Sequence, residues 1–237
     1  MELIELTATQ THLLAPLIKW RVIDIHSAIA LNPFKVNYNS FCRMVRCLEG
    51  KGVLGSYRRP AGGKKYIYPT PLGDKLLGAQ DTPATIAKET LLHDIATSDL
   101  VRGLLAEGWF ESAALEHELH NKREFGSAGR VVPDAILEGL KDNKRFRIAL
   151  EVELTSKSHK RSEEKMRGYL SQRYFDYFLY AFPKASQQAC FQRLVSERFG
   201  EEAINRLMCF SWDWQSALPS AQGSFKGRCL TLKEIFS

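Results

Sequence analysis

"VVPDAIL" (131–137) and "RIALEVEL" (147–154) are the two stretches on which the reading of this chain turns. Both are rich in Val, Ile, Leu and Ala and read as buried β-structure. Yet they carry three carboxylates: Asp134 directly after Pro133, then Glu151 and Glu153. An ionised carboxylate in a buried strand is costly unless it has a partner. Residues 151 and 153 fall on one face of a strand, about 7 Å apart, so both could reach one ion. A hard divalent cation, Mg2+ or Mn2+, suits such a set, because it takes a few carboxylates and keeps several waters. Asp134, Glu151 and Glu153 are therefore candidate metal ligands. The residues leave a second reading open, in which the acids are simply paired with Arg145, Arg147 or Lys157.

Around these stretches the second part of the chain, from about residue 86, has a regular order. "IAKETLLHDIATSDLVRGLLAEG" reads as a helix closed by Gly108, and "WFESAALEHELHN" as a strand with a polar face of Glu116, Glu118 and His120. The two acid-bearing strands follow. "SKSHKRSEEKMRGYLSQR" reads as a charged amphipathic helix, "YFDYFLYAFP" as a strand too apolar to face water, and "SQQACFQRLVSERFG" as a helix. "LMCFSWDWQSAL" reads as a last strand. The order α-β-β-β-α-β predicts a mixed sheet covered on both faces.

The first part differs in charge and pattern. Residues 1–80 hold eleven Lys and Arg against five Asp and Glu, whereas residues 81–237 hold twenty-two of each. The whole formal net charge of +6 thus belongs to the first third, which points to a surface for nucleic acid there. "ATQTHLLAPLIKW" and "DIHSAIALN" read as helices. In "NSFCRMVRCLEGKG" the residues Phe41, Met44, Val45 and Leu48 form one apolar stripe, with Arg43 and Arg46 off it. "VLGSYRRPAGGKKYIYPT" reads as a β-hairpin with a basic tip, and "TPLGDKLL" follows. The polar "GAQDTPAT" (78–85) is the expected linker, giving domains 1–80 and 86–237.

Composition narrows the classes. With 237 residues, 44% hydrophobic and 25% charged, the chain has room for one large domain or two small ones. The apolar runs are too short and interrupted for a membrane span, so no membrane insertion is expected. "MELIELTATQ" has acids where a secretory signal has basic residues, which predicts a cytoplasmic protein. The five Cys are scattered and form no CxxC pair, which favours reduced thiols over disulfides or a zinc site.

The helix, helix, helix, hairpin order of the first part resembles the winged helix-turn-helix of bacterial regulators. That resemblance implies that Asn39, Ser40, Arg43 and Arg46 face bases or phosphates in a major groove. It also implies that Arg58, Arg59, Lys64 and Lys65 of the wing contact phosphate. A module that docks protein instead of DNA remains the alternative. The second part, with Pro133-Asp134 on one strand and Glu151-Val152-Glu153 on the next, resembles the restriction-endonuclease-like PD-(D/E)xK nucleases over roughly residues 86–215. The resemblance implies that Asp134 and Glu151 hold Mg2+ for phosphodiester cleavage. The lysine of that pattern is here Glu153, an additional ligand or a base for water, and Lys157 is the candidate for the missing cation. A nuclease fold that has lost its activity stays open.

The combination, with "EVELTSKSHKRSEEKMRGYL" behind a winged helix and a helix bearing "HDIATSD", resembles the replication-relaxation proteins and MobC-type plasmid mobilization relaxases. It implies an α/β protein, α+β overall, that nicks double-stranded plasmid DNA at a transfer origin, with an accessory mobilization or coupling protein as a further partner. The six His form no cluster suited to the three-histidine site of other relaxases, and "EHELH" is not a zinc-protease motif. His93, with Asp94 beside it, is a candidate because the first helix of such nucleases often reaches the site; a buried structural His is the alternative. Lys160 and Arg161, on a helix that also carries Lys165 and Arg167, could hold DNA phosphates or merely face solvent. Tyr169, Tyr174, Tyr177 and Tyr180 could include a nucleophile, with aromatic packing the default. Two rival functions remain: a DNA-binding regulator or replication initiator, and a restriction-type endonuclease that cuts both strands.

Overall fold

A computed structural model describes residues 4–60, 63–78, 86–87, 89–119, 131–155, 158–213 and 217–237. The chain divides into two compact units, Met1–Asp99 and Leu100–Ser237. The expected linker lies almost wholly outside the described residues. The observed division falls further along, inside a helix (Leu91–Ala106) that opens in the first unit and continues in the second.

The first unit begins with α1 (Ala8–Leu14) and α2 (Pro16–Trp20), two helices where a single one was expected. The reason is local: Pro16 has no amide hydrogen to continue α1 and sits instead at the first turn of α2, its preferred place. β1 (Ile23–Asp24) leads into α3 (Ile25–Ala30), capped by Asp24. Next comes α4 (Tyr38–Gly50), capped by Asn37, whose side chain accepts from the Asn39 and Ser40 amides. Phe41, Val45 and Leu48 of α4 are buried, as the stripe predicts, while Arg43 and Arg46 are exposed. β2 (Leu54–Arg58) and β3 (Lys65–Pro69) form the antiparallel hairpin, and β1 adds to β3, giving the sheet order β1-β3-β2. α5 (Pro71–Leu76) closes the run.

The second unit is built on a seven-stranded mixed sheet in the order β10-β9-β8-β7-β6-β5-β4. α6 (Leu91–Ala106) is stopped at Gly108, whose φ of +73° few other residues tolerate. β4 (Ser112–Leu115), β5 (Ala135–Lys141) and β6 (Lys144–Val152) run antiparallel to one another. α8 (His159–Ser171) then crosses to β7 (Tyr177–Phe182), and α9 (Ala185–Arg206) to β8 (Leu207–Ser211), so β6, β7 and β8 are parallel. Parallel strands need such helical crossovers. The α-β-β-β-α-β order is thus present within a mixed α+β architecture.

Three details depart from expectation. The "EHELH" segment does not extend β4. Glu116–Leu119 forms one helical turn, α7, with His117 buried, and Glu118 accepts from the Leu115 amide at 2.8 Å. A carboxylate that can satisfy a backbone amide locally competes with strand pairing. α9 is longer than expected and kinks at Gly200. β8 is not the last strand: β9 (Gln222–Phe225), β10 (Arg228–Thr231) and α10 (Leu232–Phe236) follow, extending the sheet from β8.

One face of the sheet carries the core that positions the acids. Met166 and Tyr169 of α8 and Phe191, Val195 and Ala203 of α9 pack on Ile136, Ala149, Phe178, Tyr180, Phe182 and Cys209. In the antiparallel pair, Gly139 lies opposite Phe146, whose ring comes within 2.4 Å of where a Cβ would be, so a side chain there would have to displace that ring.

Candidate functional site

The register of β5 and β6 pairs Ala135 with Leu150, which brings the Asp134 backbone beside Glu151 and Val152. Asp134 precedes the strand, and its Oδ2 accepts from the Val152 amide at 2.7 Å while its carbonyl accepts from Glu116. Pro133 before it cannot donate to a ladder, so the strand begins only after the acid. Glu151 is fully buried on the helix-covered face. Its two oxygens are engaged separately: Lys165 of α8 donates to Oε2 and pairs with it, and Tyr169, one turn on, donates to Oε1. Glu153, two residues further on that face, is 7% exposed and lines a neighbouring cavity.

The electrostatics follow from burial. Removal from water, and then the neighbouring charge of Asp134, push the Glu151 carboxyl up to about 8. Burial works against the Lys165 charge, but Glu151 and Asp134 outweigh it and hold its ammonium above the ordinary range. Lys165 bonds Glu151 and stays charged, while the charge of Asp134 acts on both, so Glu151 holds its proton at neutral pH. Burial, and then Glu151, push the Tyr169 and Tyr180 hydroxyls well up, so neither is poised as a phenolate nucleophile. The Tyr180 hydroxyl has no hydrogen-bond partner among the described residues.

The structure therefore brings together Asp134, Glu151 and a lysine, but the lysine is Lys165. Lys157 lies outside the described residues. Arg147, the alternative partner, instead bonds Glu138 at 2.8 Å and stacks on Tyr174. Lys165 was legible only as part of a basic helix. Its signal was position, since Ser162, Lys165, Met166 and Tyr169 share one stripe of α8, and a lysine on the apolar side of a helix needs a buried acid. Among the described residues, no group of three His, Cys, Asp or Glu side chains is arranged to hold a metal, so Asp134, Glu151 and Glu153 form no ready-made cage. Lys160 and Arg161 are exposed on the first turn of α8. His93 belongs to the first unit, half-buried on α6 beside Asp94, which faces Arg21 at 3.9 Å.

On the first unit, Asn39, Ser40, Arg43 and Arg46 are exposed along α4. The hairpin cations divide. Lys64 is exposed, Arg58 is exposed and donates to the Gly63 carbonyl at 3.0 Å, and Arg59 lies over the Tyr66 ring. Lys65 pairs with Glu49 at 2.7 Å, so its charge is already partly balanced.

No helix among the described residues is long and apolar enough to cross a membrane. No curated protein matches the chain. Among solved structures, the chain is similar to the PcaV transcriptional regulator from Streptomyces coelicolor, solved in complex with its natural ligand. The match has 18% identity and a TM-score of 0.29, and covers 44% of this chain and 77% of that one. The sequence profile described as replication-relaxation matches residues 25–177, which is more than half of the chain and takes in α3, α4, the basic hairpin, Asp134, Glu151 and Lys165. The chain therefore belongs to the replication-relaxation family.

Proposed function

We propose that this protein is a DNA-nicking enzyme of plasmid replication and mobilization, related to the MobC-type relaxases. The first unit acts as a winged helix that binds double-stranded DNA, and the second as a restriction-endonuclease-like domain that cuts one strand at a transfer origin. The observation that carries the reading is the convergence of Asp134, Glu151 and Lys165 on one face of the mixed sheet. A buried carboxylate, a half-buried one and an ammonium are charges of the kind that phosphodiester hydrolysis uses.

The donor set fits a hard divalent ion in kind. Asp134 and Glu151 are oxygen donors whose charges act on each other, and a divalent ion would take the place of the proton that Glu151 holds. Mg2+ or Mn2+ bound there would withdraw charge from the phosphate and ease attack by water. Lys165 is placed to offer the remaining positive charge, in the role the sequence pattern leaves empty at Glu153. Tyr169 orients the Glu151 carboxylate. The family membership supports a plasmid setting, and a cytoplasmic location with an accessory mobilization or coupling protein follows from the same reading.

A second reading has its own support. Both Glu151 oxygens are already engaged, as a purely structural pair would be, which favours a DNA-binding regulator or replication initiator with an inactive second unit. Purified protein, supercoiled plasmid carrying the cognate origin and Mg2+ separate the readings. Open circles are expected, linear product would indicate cutting of both strands, and unchanged supercoils at all protein concentrations would sink the enzymatic reading.

A further inference from the structure

Beside the carboxylate site lies a cavity of about 120 Å3 that the chemistry of Asp134 and Glu151 does not use. Its walls come from the end of β6, the tip of β7, the first turns of α8 and the first half of α9. A single water needs only about 10–15 Å3 of such space, so the cavity has room for one flat heterocycle and not for a peptide or a sugar chain. Phe182 and Phe191 form an aromatic wall, their ring centroids 5.4 Å apart and tilted by 46°. Glu153, nearly buried, contributes a carboxylate, and His159 and Ser162 add further polar atoms. An aromatic wall opposite a few placed polar groups is the composition of a small-ligand site. Glu153 stands two strand residues from Glu151 on the same face, about 7 Å away. That is the reach from a phosphate to the base of an adjoining nucleotide.

We propose that this cavity is a nucleobase subsite that takes one unstacked base bearing an amino group, guanine above the others. The inference rests on the reading of the second unit as DNA-processing. Enzymes that work on a strand extrude bases into aromatic pockets and read the Watson–Crick edge by hydrogen bonds. A carboxylate accepts from N–H groups. Guanine presents a ring N–H and an amino group side by side, two donors for one carboxylate; cytosine and adenine present a single amino group. Thymine has no amino group, and its one ring N–H lies between two carbonyl oxygens that the acid repels. The subsite therefore selects the base next to the nick, and it gives Glu153 a recognition role in place of the metal-ligand role its spacing suggested.

Cys190 reports on the cavity directly. It is exposed, lines the cavity, and lies 3.9 Å from His159 Nε2, while the exposed Cys47 and Cys229 serve as internal controls. The full-length protein is alkylated with iodoacetamide, cysteine by cysteine, in the presence of dGMP, dCMP, dAMP, TMP or deoxyribose 5-phosphate at millimolar concentration. Deoxyguanylate should slow Cys190 alkylation several-fold, with TMP and the sugar phosphate inert and the control cysteines unchanged. Glu153→Gln should erase the preference for guanine over thymine. Equal protection by the sugar phosphate, or no protection by any nucleotide, overturns the subsite. Protection without any plasmid nicking would leave the subsite standing and remove the enzymatic reading. Nicking without protection would do the reverse.

Discussion

Replacing Glu151 with Gln isolates the cost of the buried charge. In the native protein the carboxyl is shifted from its ordinary 4.5 to about 8. At about 1.4 kcal/mol per pH unit, that shift is worth on the order of 5 kcal/mol between the two protonation states. The sign follows from proton counting. Between pH 4.5 and 8 the unfolded chain has released this proton and the folded chain still holds it, so stability falls as pH rises through that window. Below the window the contribution is fully present, and above it the loss is complete. Glutamine cannot titrate, so Glu151→Gln should flatten this part of the profile. Urea unfolding at intervals from pH 5 to pH 8.5, read on the transition of the second unit, measures the slope of each protein. The native protein should lose several kcal/mol across the window in metal-free buffer and the variant much less. Parallel profiles would refute the burial argument and with it the proton held by Glu151.

Three further outcomes test the other parts of the molecule. Asp134→Ala should abolish plasmid nicking while leaving retardation of duplex DNA intact; wild-type nicking by this variant would take Asp134 out of the site. On the first unit, Arg43→Ala and Arg46→Ala should lower the preference for the cognate duplex over random DNA, measured by competition. Lys64→Ala should weaken both about equally and reduce the salt slope by roughly one, whereas Lys65→Ala should change it less because Glu49 already balances Lys65. Gly73→Ala should destabilise the first unit by roughly 1–3 kcal/mol in thermal or urea melts, since the new Cβ would lie 2.2 Å from the Val53 carbonyl oxygen, a backbone atom that cannot rotate away.

Much of the architecture was legible because it obeys simple periods. The α4 stripe of Phe41, Val45 and Leu48, the basic hairpin, and the order from α6 to β7 all follow from spacing that local sequence records. The misses are of other kinds. Pro16 splits one expected helix into two by removing a single donor, and Glu118 ends β4 by capping an amide three residues away; both are local contests between near-equal alternatives. β9, β10 and α10 escaped because edge strands are short and half exposed, so their alternation is faint. At the site the acids could be read, since Asp134, Glu151 and Glu153 are costly inside apolar strands. Their partner could not be fixed from proximity in sequence. Lys157 is four residues from Glu153, but Lys165 is the lysine that the crossover of α8 lays across the sheet onto Glu151.

That crossover also bears on the choice between an enzyme and an inactive scaffold. Burying an ion pair is a poor way to stabilise a fold, because the desolvation of both ions offsets most of their attraction, and well-packed apolar residues of similar size do as well or better. The second unit has no shortage of such residues: Tyr169 already stacks on Phe178, and Met166 and Phe175 are buried beside it. A scaffold could place a leucine at 151 and a methionine at 165 and lose nothing in packing. What it would lose is a buried acid whose proton and whose contact with Lys165 could both give way to a divalent cation, as the proposed nicking reaction would require. On the enzymatic reading the substrate would take over the ammonium that occupies Glu151 in the resting protein, so the contact that favours an inactive unit is equally compatible with an active one.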